Sequence, residues 1–138
     1  MTLIRLFLPL IIIFHIYPVG SVFEYNLFTS HYTLTMTTAI VLDNPEVGNQ
    51  VLITSYSATN LGEDVYHVGP ASFRAYDKIT ENLLTYQPCL DEFDERIVPE
   101  ATATGSLCWV GEIGSEGTVV VYSHSIFERN SFAWGNSR

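Results

Sequence analysis

HYTLTMTTAIVL, residues 31–42, and QVLITSYSAT, residues 50–59, decide the fold. The first alternates Thr with larger side chains at its start, a period of two that sends successive side chains to opposite faces of a strand. Asp43-Asn44-Pro45 ends it, and Gly48-Asn49 adds a second turn signal before the next run. The second run ends at Asn60-Leu61-Gly62. Its register stays open: Leu52, Tyr56 and Ala58 face the core, or Val51 and Ile53 do.

Working outward, short β-branched and aromatic runs recur between Gly, Pro, Asn and Asp: SFRAY at 72–76, LLTYQ at 83–87, TATGSLCWV at 102–110, TVVVYS at 118–123 and FAW at 132–134. Gly105 inside its run predicts a bulge or a close backbone approach. The nearly continuous apolar run at 118–123 predicts a central strand covered on both faces. Residues 91–96 are the one place left for a short helical turn, so crossover helices for a parallel α/β sheet are missing. About seven strands that each need a partner for one face predict an all-β, immunoglobulin-like antiparallel β-sandwich, with a small closed barrel as the alternative.

The 138 residues support one domain. With 6 Lys+Arg against 15 Asp+Glu and a net charge of −9, nucleic acid is excluded as a partner, since phosphate binding needs a basic face. At 47% hydrophobic and 13% aromatic, the chain is not intrinsically disordered. Residues 1–5 carry one positive charge, residues 6–14 read LFLPLIIIF, and Val19-Gly20-Ser21 supplies small residues. That order reads as a secretory signal over residues 1–21, with cleavage after Ser21. Arg5, His15 and two prolines interrupt the window that a membrane span of roughly 20 apolar residues requires, so no stable span is expected once the signal is removed. The expected organisation is therefore a signal at 1–21, an N-terminal extension at 22–30 and a sandwich domain at 31–138, with the protein secreted or in the cell envelope.

An exported chain with two cysteines pairs them, so Cys89 and Cys108 are expected to form a disulfide. A catalytic thiol needs a positioned His and a zinc site needs further ligands; His31, His67 and His124 are each isolated, with no CxxC, HxxxH or HExxH spacing. Asp91, Glu92, Asp94 and Glu95 put four carboxylates in five residues, a calcium candidate by chemistry but without EF-hand spacing, and otherwise a solvated acidic loop partly balanced by Arg96. His124 stands between Ser123 and Ser125, but adjacent strand residues face opposite ways, which weakens a Ser–His dyad. No GxSxG elbow occurs and no catalytic residue or cofactor is expected. Trp109 and Trp134 suit core packing better than a carbohydrate platform. Tyr25, Phe28 and Tyr32 either cover a sheet edge or form an exposed apolar strip.

From Tyr32 onward the chain resembles the immunoglobulin-like sandwich domain of secreted bacterial proteins, the group that includes the immunoprotective extracellular antigen of mycobacteria and related lipoproteins. VLITSYSATNLG at 51–62 is similar to that family's second strand, which ends in Asn and a small turn residue. VPEATATGSLCW at 98–109 is similar to its loop-then-strand element, and 118–122 with 132–134 to its last hairpin with a terminal Trp. The resemblance implies that Cys108 pairs with Cys89 in the preceding connection. Glu100 departs from the family pattern, which has Gly after Pro99, and the N-terminus lacks a lipobox. The family implies fold and compartment but no biochemical activity. A non-enzymatic recognition or structural module is therefore expected, with an unknown protein or cell-surface ligand as partner, and a calcium-stabilised ligand-binding module as the alternative.

Overall fold

A computed structural model describes residues 15–44, 49–124 and 131–137. Within them run eleven strands: β1 (Ile16–Pro18), β2 (Val22–Leu27), β3 (Ser30–Asn44), β4 (Asn49–Asn60), β5 (Tyr66–Val68), β6 (Phe73–Asp77), β7 (Thr85–Gln87), β8 (Glu95–Ile97), β9 (Thr102–Gly111), β10 (Thr118–Ser123) and β11 (Ser131–Asn136). A five-stranded sheet in the order β2-β3-β4-β9-β7 packs on a four-stranded sheet in the order β1-β11-β10-β6, and β5 and β8 form a separate pair. The chain is an all-β, immunoglobulin-like antiparallel sandwich. The seven runs singled out in the sequence are β3, β4, β6, β7, β9, β10 and β11; the other four strands add to them.

The alternation in β3 does what its period demands. Tyr32, Leu34 and Met36 are buried, and the register against β4 shifts between Met36 and Thr38. That bulge re-aims the strand, so Ala39 and Val41 now pack on the core while Ile40 and Leu42 are exposed. The open register of β4 resolves to Leu52, Tyr56 and Ala58 inward. β10 is paired on both sides and buried from Thr118 through Tyr122, as its apolar run predicts. Trp109 and Trp134 are both core residues; their indole N–H groups donate to Thr54 Oγ1 at 3.4 Å and to the Ser21 carbonyl at 2.9 Å.

Gly105 marks a close approach. The inner face of β9 is bare there, and Phe93, fully buried, fills the space from the connection after β7; a Cβ on Gly105 would lie 2.8 Å from the Phe93 Cα. The Phe93 ring stacks on Tyr56 at 5.3 Å. Asp91 and Phe93 bracket Ser106 by accepting from and donating to its backbone, at 2.7 and 2.8 Å. Residues 91–96 thus form no helical turn: Asp91 sits in a turn at φ 56° and β8 begins at Glu95, while the helical turn lies at Pro70–Ser72. Cys89 and Cys108 are bonded, with Cα atoms 5.8 Å apart, which fastens this connection to β9.

Two strands fall within the segments read in the sequence as leader and extension. Residues 1–14 lie outside the described residues. Residues 16–18 form β1, which pairs in parallel with β11, Ile16 opposite Ala133. Tyr17 stacks on Phe132 at 4.4 Å, and the Gly20 N–H donates to Met36 O at 2.8 Å. A chain cut after Ser21 would lack a strand of the four-stranded sheet. The segment read as an extension at 22–30 is β2 and its hairpin to β3, not an appendage: Phe23 packs on the core and Tyr25 is buried.

Candidate functional site

The four carboxylates of the 91–95 loop do not converge. Asp94 points to His67, 3.9 Å from its Nε2, while Asp91, Glu92 and Glu95 border a groove on the outer face of the five-stranded sheet, beside Thr37, Ser55 and Ser106. Among the described residues no group of three or more His, Cys, Asp or Glu side chains is placed to hold a metal ion. His124 turns away from Ser123, as strand geometry requires: Ser123 meets Ser131 at 3.1 Å and His124 Nδ1 meets the Tyr32 hydroxyl at 2.6 Å. Ser125 lies outside the described residues.

The structure instead gathers unusual features at the end of the sandwich where β2 turns into β3. Leu27 pairs with Ser30, so the hairpin is closed by Phe28 and Thr29 alone. Two-residue hairpins favour left-handed backbone and therefore Asn or Gly. Here the position is Phe28, at φ 55° and 94% exposed. A bulky residue in that region costs roughly 1 kcal/mol or more, and the ring recovers nothing by burial.

The hairpin is held firmly. Thr29 O accepts from the backbone N–H groups of Glu63 and Asp64 at 2.9 and 3.3 Å, and the hydroxyls of Thr29 and Ser30 donate to Asp64 Oδ2 at 2.6 and 3.2 Å. Gly62 allows this contact, since a Cβ there would meet Thr29 O at 2.5 Å. Asn60, 1% exposed, is the hub: its amide donates to the carbonyls of Asp64 and Ile97 at 2.7 and 2.8 Å, and its Oδ1 accepts from Gly62 N–H at 2.9 Å. Its backbone exchanges bonds with Glu100 and Ala101. Glu100 sits at φ 72°, so the position where the resembling family has Gly keeps the glycine-type backbone with a glutamate on it. The three connections together expose Leu27, Leu61, Val65 and Val98 at 40–51%, at the same end of the sandwich as Phe28.

Behind this surface lies an aromatic array. Tyr32 stacks on Tyr66 at 3.7 Å and on Tyr25 at 5.3 Å, and Tyr25 stacks on His124 at 4.1 Å. The hydroxyls of Tyr32 and Tyr66 both meet that of Tyr122, at 2.7 and 3.0 Å. Burial pushes the Tyr32 and Tyr66 phenols far up, so they serve as neutral hydrogen-bonding groups. Of the three aromatics weighed together in the sequence, Tyr25 and Tyr32 are core and Phe28 is the exposed one. Only its place between two strand patterns signalled it.

No family model matches the chain, and no curated protein matches it. Solved structures do. The secreted protein MPT63 of Mycobacterium tuberculosis superposes with a TM-score of 0.62 over 89% of this chain and 98% of its own, at 14% identity. The chain has the fold of that protein. The YjhA protein of Bacillus subtilis matches with a TM-score of 0.59 at 14% identity, over 87% of this chain and 98% of its own. The Bacillus subtilis lipoprotein candidate YcdA matches with a TM-score of 0.60 at 14% identity, over 81% of this chain. The chain spans 39% of the length of YcdA. These likenesses agree with the group that the sequence resembles.

Proposed function

We propose that the chain is an exported, non-enzymatic recognition domain that binds a protein or cell-surface ligand through the Phe28 end of its sandwich. The observation that carries this is the exposed Phe28 ring, held at an unfavourable φ by a cross-braced set of loops. A folded chain rarely keeps an unpacked aromatic in a strained turn unless the side chain has use elsewhere. Loops at the ends of a rigid sandwich are where such folds carry binding residues. The apolar N-terminal stretch, the Cys89–Cys108 bond and the secreted and lipoprotein-like neighbours support export. Among the described residues no helix is long and apolar enough to cross a membrane. The calcium alternative has no comparable observation behind it: Asp94 turns to His67, and among the described residues no three His, Cys, Asp or Glu side chains are placed to hold a metal ion.

The test places a photo-crosslinking residue at position 28, and separately at position 79 at the opposite end, in the exported protein. Crosslinks to an extracellular or envelope component from position 28 and not from 79 are expected. Equal labelling from both ends, or retention of the protein inside the cell, would overturn the proposal. The N-terminal mass of the exported protein, recorded in the same experiment, is expected to place Ile16 inside the mature chain.

A further inference from the structure

The recognition end has a charge as well as an apolar surface. Its connections, residues 27–30, 61–65 and 98–101, contribute Glu63, Asp64 and Glu100 and contain no Lys or Arg. All three acidic residues are exposed and share the surface with Phe28 and Leu61. Beside them opens a cavity of about 270 Å³ whose lining includes Asp64, Tyr32, Tyr66, His31, His67 and His124. The Tyr32 and Tyr66 rings are stacked on one another and buried, so charge makes the selection: the Asp64 carboxylate at the opening complements an ammonium or guanidinium group. The apolar ring of side chains around it complements aliphatic or aromatic side chains.

Resting on the recognition reading above, we infer that the partner is a protein segment that is both apolar and basic: its apolar side chains cover Phe28, Leu61 and Val98, and a Lys or Arg side chain enters the cavity beside Asp64. The charge argues against the other occupants. A second copy of this chain would bring its own −9 to the same surface. An anionic lipid surface would be repelled by the same three carboxylates.

The experiment measures binding of the folded protein to a short labelled peptide built from Lys and Leu. Controls are a Lys/Ser peptide, a Glu/Leu peptide and phosphatidylcholine vesicles. The Lys/Leu peptide is expected to bind, with Phe28→Asn weakening it by about tenfold while the melting midpoint holds or rises. The Lys/Ser peptide is expected to bind about tenfold more weakly, and the double variant Glu63→Gln/Glu100→Gln to weaken the Lys/Leu peptide several-fold. Binding unchanged by Phe28→Asn would overturn the site, since the peptide would then be using the general acidic surface. A Glu/Leu peptide that binds as tightly, and still depends on Phe28, would overturn the basic partner while leaving the recognition end standing. Phe28-dependent vesicle binding would replace a protein segment with a lipid surface. Failure of the Lys/Leu peptide to bind, while position 28 still crosslinks, would overturn the partner chemistry alone.

Discussion

The two ends of the sandwich solve one mechanical problem with different chemistry. Each is organised by a single polar side chain that is nearly or fully buried, Asn60 at one end and Asp77 at the other. Asn60 ties its loops with an amide that both donates and accepts. Asp77 only accepts: Thr80 gives it a backbone N–H at 2.8 Å and a hydroxyl at 2.9 Å, Ile79 an N–H at 3.2 Å, and Gly114 an N–H at 2.7 Å from the other loop. Burial alone would raise the Asp77 carboxyl, but donors from Gly114, Thr80 and Ile79 outweigh it and hold it below the usual carboxylate range. The Asn60 hub has no proton to gain. The difference teaches that the end carrying Phe28 is braced by a neutral group, whereas the end lined by Ile79, Glu112 and Glu116 is braced by a charge.

Breaking the hubs should separate the ends. Asn60→Ala leaves the Asp64 and Ile97 carbonyls and the Gly62 N–H without their partner; a loss of about 3–4 kcal/mol in denaturant unfolding is expected. Amide exchange should rise first in residues 61–65 and 98–101. Reduction of Cys89–Cys108, whose loop spans 19 residues, should cost about 3 kcal/mol and favour neither end. Asp77→Ala should cost about 2 kcal/mol, with faster exchange confined to residues 78–82 and 112–117. The acid response sharpens the contrast. Because the folded Asp77 carboxyl lies below its ordinary value, its stabilisation is fully present above roughly pH 4 and is lost as pH falls through the folded value. The wild-type midpoint should therefore fall more steeply below roughly pH 4 than that of Asp77→Asn, and Asn60→Ala should not alter that slope. The smallest effect is a gain: Phe28→Asn should raise stability by up to about 1 kcal/mol, since Asn tolerates the left-handed backbone and no packing is lost. A loss of stability there would show that the ring is part of the fold.

How much of this was legible follows from range. The period-two runs at 31–42 and 50–59 announced β3 and β4 because each has one face to bury, and the even cysteine count announced Cys89–Cys108. The three-residue strands β1, β5 and β8 carry no period long enough to read, and their pairing depends on where the rest of the chain places a partner. Gly105 signalled a close approach, but nothing in its neighbourhood named Phe93 as the residue that fills the gap. At the Phe28 end, Asn60 was visible as a strand terminator and its bonding was not. The left-handed backbone at Phe28 and Glu100 defied local turn preference, so residue-by-residue reasoning could not reach it; tertiary hydrogen bonds impose it.

The parallel pair of β1 and β11 has a consequence for the order of events. Tyr17 lies opposite Trp134, so the four-stranded sheet gains its last edge by joining the two ends of the chain. Contacts of such sequence separation are the slowest to form and require every intervening residue to be present. Synthesis delivers residues one at a time, N-terminus first. Until Trp134 has been made, β1 lacks its partner strand, so the four-stranded sheet closes only after that residue is in place.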